Sequence, residues 1–492
     1  VAPEADHGGR GDDHGWLARM MTIGDVGPEI ALVFAAVAGL LLSSFVGQQR
    51  QWLAIAPASI GIAVALVLCA MQLGHAKTLS FSRTWALDGV AIWARLLILG
   101  SIALIVPLVP DWLRTDRRHG EFYSVLLLSA AGAMLMAGAA DLLELSIAIL
   151  LSSITGYVLA AYHRDWSISV EAGMKYFLIG AFANTLLMIG VTLLYGMLGE
   201  TGYAPIAHVL AGMAAASPLL IVGIALTVVG IAFKMGAVPM HMWMPDVAEG
   251  APAPSAAFLT VVPKIGGAIA LARFVTLFPT DVVDLRPLIA TLAVLTMTLG
   301  NLGALWQRDV RRLLGWSSVS QSGYALMAIV VLGLTRQAVT ALLMFLAGYA
   351  VATLAAFAVV THLRGRTAIE DYNGLGKARP WAGAVLVIAL LSLVGIPPLG
   401  GFVGKLTLFV ATIDGGYGWL AAVAVANTVA SAFYYLQVVS AIYLSTNESE
   451  VPVLGKPSGQ ALVVAGAGVL LLGIASQIVL AQFESASFFA SR

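Results

Sequence analysis

One cysteine in 492 residues, and charge on only 11% of them, close off most of biochemistry at the outset. A lone Cys69 excludes a disulfide framework, a Cys-ligated iron–sulfur cluster and a CxxC redox pair. Any electron transfer must then take place on another chain, and no cofactor is expected on this one. Acidic and basic residues balance at 26 each, so nothing points to nucleic acid. No nucleophile–base set or metal-ligand cluster stands out, which argues against a freestanding enzyme. The polar stretch Val1–Gly27 lacks the apolar core of a signal peptide. Its His7 and His14, set among Gly and Asp, are not read as a metal site. Met20 or Met21 is the expected natural start.

What the chain does have is length without polarity: 60% of it is hydrophobic, in long runs. About 20 apolar residues span a bilayer's hydrocarbon core. By that rule the chain is an all-α polytopic membrane protein of about fourteen spans. They run roughly 27–47, 53–75, 87–109, 122–140, 142–162, 173–197, 217–242, 254–278, 287–306, 316–334, 337–362, 381–412, 418–445 and 460–483. The loops after odd-numbered spans hold thirteen Lys or Arg, those after even-numbered spans four (Lys77, Arg83, Arg286 and Arg336). The positive-inside rule then puts the odd loops in the cytoplasm and both termini outside, in a bacterial inner membrane.

Two spans are interrupted. IAFKMGAVPMHMWMPDV has Lys234 deep in an apolar run, with Pro239 and Pro245 after it; Pro263 and Lys264 follow in the next span. LSLVGIPPLGGFVGKLTLF has Pro397 and Pro398, flexible glycines, and then Lys405. A phosphate cradle is the wrong reading of this second segment, because no Lys-Ser/Thr follows its glycines. All three prolines of the first region are expected to interrupt helices. Broken backbone at membrane depth is tolerated only inside protein or beside a watery cavity. A lysine there is a functional hypothesis by default, set against one that snorkels to the headgroups. The two breaks lie five spans apart, so they run through the membrane in opposite directions. That pattern predicts two inverted five-helix repeats with broken helices 7 and 12. The expected units are a polar extension (1–26), helices 1–3 (27–110), a first repeat (111–279), an inverted second repeat (280–445), and helix 14 with the C-terminus (446–492).

Other charged positions have plainer readings. Glu144 either pairs with a buried lysine or marks the membrane boundary beside Asp141. Glu171 and Lys175, four apart, suit an ion pair on one helix. Asp88 and Arg95 are two turns apart on one face and suit structural pairing or a subunit contact. His241 and His362 could relay protons or act as hydrogen-bonded structural residues. Trp243 and Trp316 read as interface anchors.

The segment FKMGAVPMHMWMPDVAEGAPAPSAAFL resembles a signature of the antiporter-like membrane subunits of proton-translocating NADH–quinone oxidoreductase, respiratory complex I. SVEAGMKYFLIGAFAN, GNLGALWQRDVRRLLGWSSVSQSGY and LSLVGIPPLGGFVGK are similar to other signatures of that family, and the resemblance covers about residues 80–445. Related membrane-bound hydrogenases and multi-subunit cation/proton antiporters share these motifs. The resemblance implies that Lys234, Lys264 and Lys405 form a buried axis that moves protons, coupled to redox chemistry on neighbouring membrane-arm subunits. Two positions depart from the family pattern. Leu150 stands where the fifth helix usually carries Glu, and Gln321 where a His is frequent. Glu144 is six residues before Leu150, about 600° round a helix and about 9 Å along it, so it is not on the same face. The missing carboxylate leaves three expectations: Glu144 substitutes through a shifted geometry, a neighbouring subunit supplies the acid, or the chain pumps poorly.

Overall fold

Inside a bilayer, backbone amides find no water and must be satisfied along the chain itself. The computed structural model describes residues 23–74, 78–113, 119–445 and 455–488. The expectations for His7, His14, Met20, Met21, Lys77 and the start of the N-terminal extension lie outside these residues. The described chain is helical apart from one hairpin, β1 (Thr78–Ser80) with β2 (Trp85–Leu87), and isolated bridges. α1 (Gly27–Phe45), α2 (Ile55–Met71) and α3 (Gly89–Ile105) come first. Next are α4 (Gly120–Gly138), α5 (Leu142–Ala160), α6 (Ser167–Leu198), α7 (Pro218–Met235), α8 (Trp243–Gly250) and α9 (Ala253–Val275). Then come α10 (Arg286–Leu305), α11 (Val310–Val330), α12 (Ala338–His362), α13 (Pro380–Val394), α14 (Gly400–Asp414) and α15 (Gly418–Leu444). α16 (Lys456–Ile474) and α17 (Ser476–Glu484) close the chain.

Among the described residues, twelve helices are long and apolar enough to cross a membrane. They coincide with twelve of the fourteen expected spans, and the chain is an all-α multi-pass membrane protein. The other two expected spans differ for physical reasons. α11 carries Arg311, Arg312, four serines and Gln321, and is too polar to qualify by composition. The twelfth span is cut into α13 and α14, fifteen residues each.

The two halves repeat each other in packing and in small contacts. α4 lies against α5 and α9 as α10 lies against α11 and α15. Asp141 caps the start of α5 by accepting from Leu143 N, and Asp309 caps α11 by accepting from Arg312 N. The following residues repeat a loop contact: Leu142 N donates to Thr201 O at 3.0 Å, and Val310 N to Thr367 O at 2.7 Å. Gly132 gives the backbone of Ser152 room to approach, as Gly300 does for Ser320. The capping aspartates, Leu142 with Val310, and the glycine–serine contacts match at a shift of 168 positions along the chain; the loop acceptors Thr201 and Thr367 match at 166. At the breaks the shift is 159. Gly236 (φ +68°) ends α7 and Gly395 (φ +99°) ends α13, both in the left-handed conformation that only glycine adopts cheaply. Each glycine is followed by a cis X–Pro bond, Val238–Pro239 and Pro397–Pro398.

The other two prolines do not break helices as expected. Pro245 lies in the first turn of α8, where a missing N–H is harmless. Pro263 sits inside a continuous α9, whose apolar window is wholly enclosed by its neighbours. α9 is wholly enclosed, and 94% of the apolar window of α12 is buried, against 33% in α15. α9 and α12 pack on each other and form the centre.

Buried charges outside that centre pair differently from the sequence expectation. Asp88 and Arg95 do not partner each other. Arg95 donates to Glu29 Oε1 at 2.7 Å and to Gln72 Oε1 at 2.9 Å, tying α3 to α1 and α2. Asp88 caps α3 and receives both arms of Arg273, at 2.6 and 3.1 Å, from the end of α9. A partner one helix away offers a straighter fork geometry than one two turns along the same helix. Glu171 and Lys175 do pair at 2.7 Å, and Lys175 extends to Asp246 at 3.2 Å.

Candidate functional site

Lys234 lies in the last turn of α7 and is fully buried. Gly267 of α9 makes room for it: a Cβ there would sit 3.0 Å from Lys234 Cβ. Its Nζ has no hydrogen-bond partner among the described residues and stands 5.5 Å from the centre of the Phe233 ring. One residue on, the end of α7 is held from outside. The Ser322 hydroxyl of α11 donates to Met235 O at 2.5 Å.

Lys264, also fully buried, has the opposite environment. An ammonium has three N–H donors. Here they meet Ser318 O at 2.5 Å, Ser318 Oγ at 2.7 Å and Tyr349 OH at 3.1 Å. The amine also lies 4.3 Å from the Tyr349 ring centre. Tyr349 and Ser318 are themselves hydrogen-bonded at 2.8 Å.

Lys405 is at the start of α14, yet its amine returns across the second break to Val394 O at 3.1 Å, the last residue of α13. Val394 is the positional equivalent of Met235 under the 159-residue shift. The unpaired carbonyls at a helix C-terminus carry partial negative charge and attract a cation. The Tyr324 ring of α11 lies under the same amine at 4.4 Å. Gln321 Nε2 takes the neighbouring carbonyl, Leu393 O, at 3.2 Å. α11 thus supplies Ser322 to the first break, Ser318 to Lys264, and Gln321 and Tyr324 to the second break. Among the described residues, none of the three lysines makes an ion pair.

The sequence reading missed α11 as the hub. The signal was in SSVSQSGY, where four serines and Gln321 fall within two turns of a helix expected to cross the membrane. It also missed Tyr349, the one tyrosine of an apolar span.

The remaining candidates fall elsewhere. Glu144 is in the first turn of α5, with Asp141 and Arg273 as charged neighbours and a buried carboxylate oxygen that has no hydrogen-bond partner among the described residues. His241 lies in the first break, 8% exposed, its ring 5.8 Å from that of Trp316. His362 meets Ser458 Oγ at 2.9 Å. Trp243 is not an interface anchor. It is fully buried and stacked on Tyr176 at 4.2 Å, because the broken span folds α8 inward. Cys69 is a buried small side chain whose Sγ meets Ile92 O at 3.6 Å. Leu150 is half-buried and lines an open cleft of about 460 Å³ with Asn184, Thr185 and Thr192. Under the 168-residue shift its counterpart is Ser318.

Comparisons with known proteins agree with this architecture. Residues 139–431 match the family described as NADH:quinone oxidoreductase/Mrp antiporter, TM. The chain is 41% identical over 453 residues to NADH-quinone oxidoreductase subunit N of Mycobacterium sp. (strain JLS), covering 91% of this chain and 95% of that one. It is similar to a chain of the respiratory complex I from Thermus thermophilus with bound Aureothin, at 30% identity and a TM-score of 0.80, covering 94% of this chain and 100% of that one. A chain of the membrane-bound sulfane sulfur reductase, an archaeal respiratory membrane complex, has a TM-score of 0.82 over 94% of this chain and 96% of its own. At 22% identity that likeness speaks for the fold alone. Two helix breaks, a buried lysine set and a match running through both repeats lead to one conclusion: the chain belongs to the NADH:quinone oxidoreductase/Mrp antiporter transmembrane family.

Proposed function

We propose that this chain is a subunit N-like, proton-translocating component of the membrane arm of an NADH–quinone oxidoreductase. Protons move along Lys234, Lys264 and Lys405, driven by redox chemistry on other subunits. The chain itself holds no redox group or other cofactor, a reading supported by its single, buried cysteine. Its partners are the neighbouring membrane-arm subunits, and both termini face the outer side. Residues 111–279 and 280–445 are the two repeat units.

The observation that carries this reading is Lys264. A buried ammonium with three fitted acceptors and no counter-ion among the described residues is costly to retain for structure alone. The lysines on either side sit at helix breaks, where backbone carbonyls can hold a cation. In this reading His241, in the first break, exchanges protons with Lys234. Glu144 belongs to the end of α5 and serves the outer boundary, not the lysine axis.

The test is Lys264→Ala in the assembled complex, reconstituted in vesicles. Translocation should fall about tenfold or more, within the range usual for losing a positioned acid–base group. Native translocation in Lys264→Ala and Lys405→Ala together would reject the axis.

Leu150 favours a second reading, in which the chain braces the membrane arm and carries few protons. A Leu150→Glu variant separates the two. A gain in protons moved per NADH oxidised marks a weakened pump. No gain, with Lys234→Ala silent, marks a structural subunit.

A further inference from the structure

The Ser322 hydroxyl has one hydrogen and two acceptors in reach: Met235 O at 2.5 Å and Ser318 O, four residues back, at 3.1 Å. Each acceptor belongs to a different lysine. Ser318 O is the carbonyl to which Lys264 Nζ donates at 2.5 Å. Met235 O is the terminal carbonyl of the helix whose last turn carries Lys234, and Lys234 Nζ has no partner among the described residues. The second repeat shows what such a carbonyl can do. There the equivalent Val394 O accepts directly from the Lys405 amine.

From this geometry, and resting on the proton-carrying role proposed above, we infer that Ser322 is a selector that lets Lys234 and Lys264 hold their carbonyl seats only in turn. While Lys264 is charged, its ammonium is the stronger donor to Ser318 O. The backbone N–H of Ser322, four residues on in the same helix, and the Lys264 ammonium then take both lone pairs of Ser318 O, so the Ser322 hydroxyl turns to Met235 O and offsets the partial negative charge at the end of α7. When Lys264 gives up its proton, its hold on Ser318 O weakens. Ser322 swings back along its own helix, and Met235 O regains the partial negative charge that can draw the Lys234 ammonium to the end of α7. One proton leaves one amine and one arrives on the other; no bond other than N–H and hydrogen bonds changes. Charge on one lysine therefore opposes charge on the other over and above their direct repulsion.

Few other groups can confuse this linkage. The titratable side chains facing the set are Tyr349 from α12, Tyr176 from α6, stacked between Phe233 and Trp243, His241 in the break, Lys405 from α14, and Tyr324 and Tyr435 near the far face of α11. Among the described residues, neither amine makes an ion pair with a carboxylate.

The test is the pH profile of proton translocation in the assembled complex, for Ser322→Ala, Ser322→Thr and the native chain. A hydroxyl that merely packs would lower the rate alike at every pH. A selector moves the profile itself, because two coupled amines titrate as a pair. Ser322→Ala should displace the pH of half-maximal rate by about one unit, a tenfold change in proton affinity or ~1.4 kcal/mol. Ser322→Thr keeps the hydroxyl and should restore the native position. An Ala profile lying on the native one, whatever its height, overturns the selector, as does a Thr profile that follows Ala. Lys264→Ala is run alongside. If it translocates normally, the lysine axis itself is wrong; if it fails while Ser322→Ala titrates as native, only the selector is.

Discussion

Lys234 and Lys264 show that a buried charge has no fixed cost; its neighbours decide. Lys264 meets three acceptors, while Lys234 meets none among the described residues. A buried polar group without a hydrogen bond costs about 1–3 kcal/mol by mutational measure. Lys234→Met, similar in length and apolar, should therefore raise the thermal midpoint of the detergent-solubilised complex while abolishing translocation. The same exchange at Lys264 should leave the midpoint unchanged or lower. Arg273 and Asp88 set the contrasting case, a buried pair with both arms engaged. Removing one member, as in Asp88→Ala, strands the other charge and should cost about 3–5 kcal/mol. The double variant Asp88→Leu with Arg273→Met should recover most of that loss in the same melting assay.

At the scale of the element, the breaks carry the design. Gly395 combines φ +99° with a Cβ position only 3.2 Å from Lys405 Cδ. Gly395→Ala should strain the backbone by about 1–3 kcal/mol and displace the Lys405 amine from Val394 O. Its signature is a translocation defect larger than the loss of stability explains, read by comparing vesicle rates with melting midpoints. Both breaks were legible in the sequence, since proline and glycine act through local backbone chemistry that needs no fold to be read. Pro263 was misread by the same logic. A proline costs its helix one hydrogen bond, and close packing on every side, as around α9, can hold the helix together; nothing local reveals that packing. The pairing of Asp88 and Arg95 failed likewise, because shared face on one helix says nothing about better partners on others. α11 stayed hidden as a hub because its serines lower its apolar signal and look like an imperfect span.

Across the whole molecule, apolar run lengths exposed the helical membrane architecture, and the spacing of the breaks exposed the repeat. The shifts of 168 and 159 positions became visible only once caps and contacts could be matched, since the two halves share only scattered residues, such as Asp141 with Asp309 and Gly236 with Gly395. Orientation rests on the thirteen-to-four excess of basic residues in the odd loops. In a Cys69→Ser background, a cysteine at Arg364 should react with a membrane-impermeant thiol reagent only from the cytoplasmic side, and one at Asp284 only from the outer side. The reverse pattern would turn the topology over. The lone native cysteine makes that background easy to obtain, as Cys69 contributes little beyond packing and one weak contact.

The enclosure of α9 and α12 separates the proposed proton route from the lipid. Bilayers of unequal thickness bend and tilt the helices they touch. Here those are the outer ones, such as α1, α2 and α15, each with most of its apolar window uncovered. Lengthening or shortening the acyl chains should shift how the rim leans without stretching the inner pair, leaving the rate of proton passage nearly indifferent to the membrane in which the protein is placed.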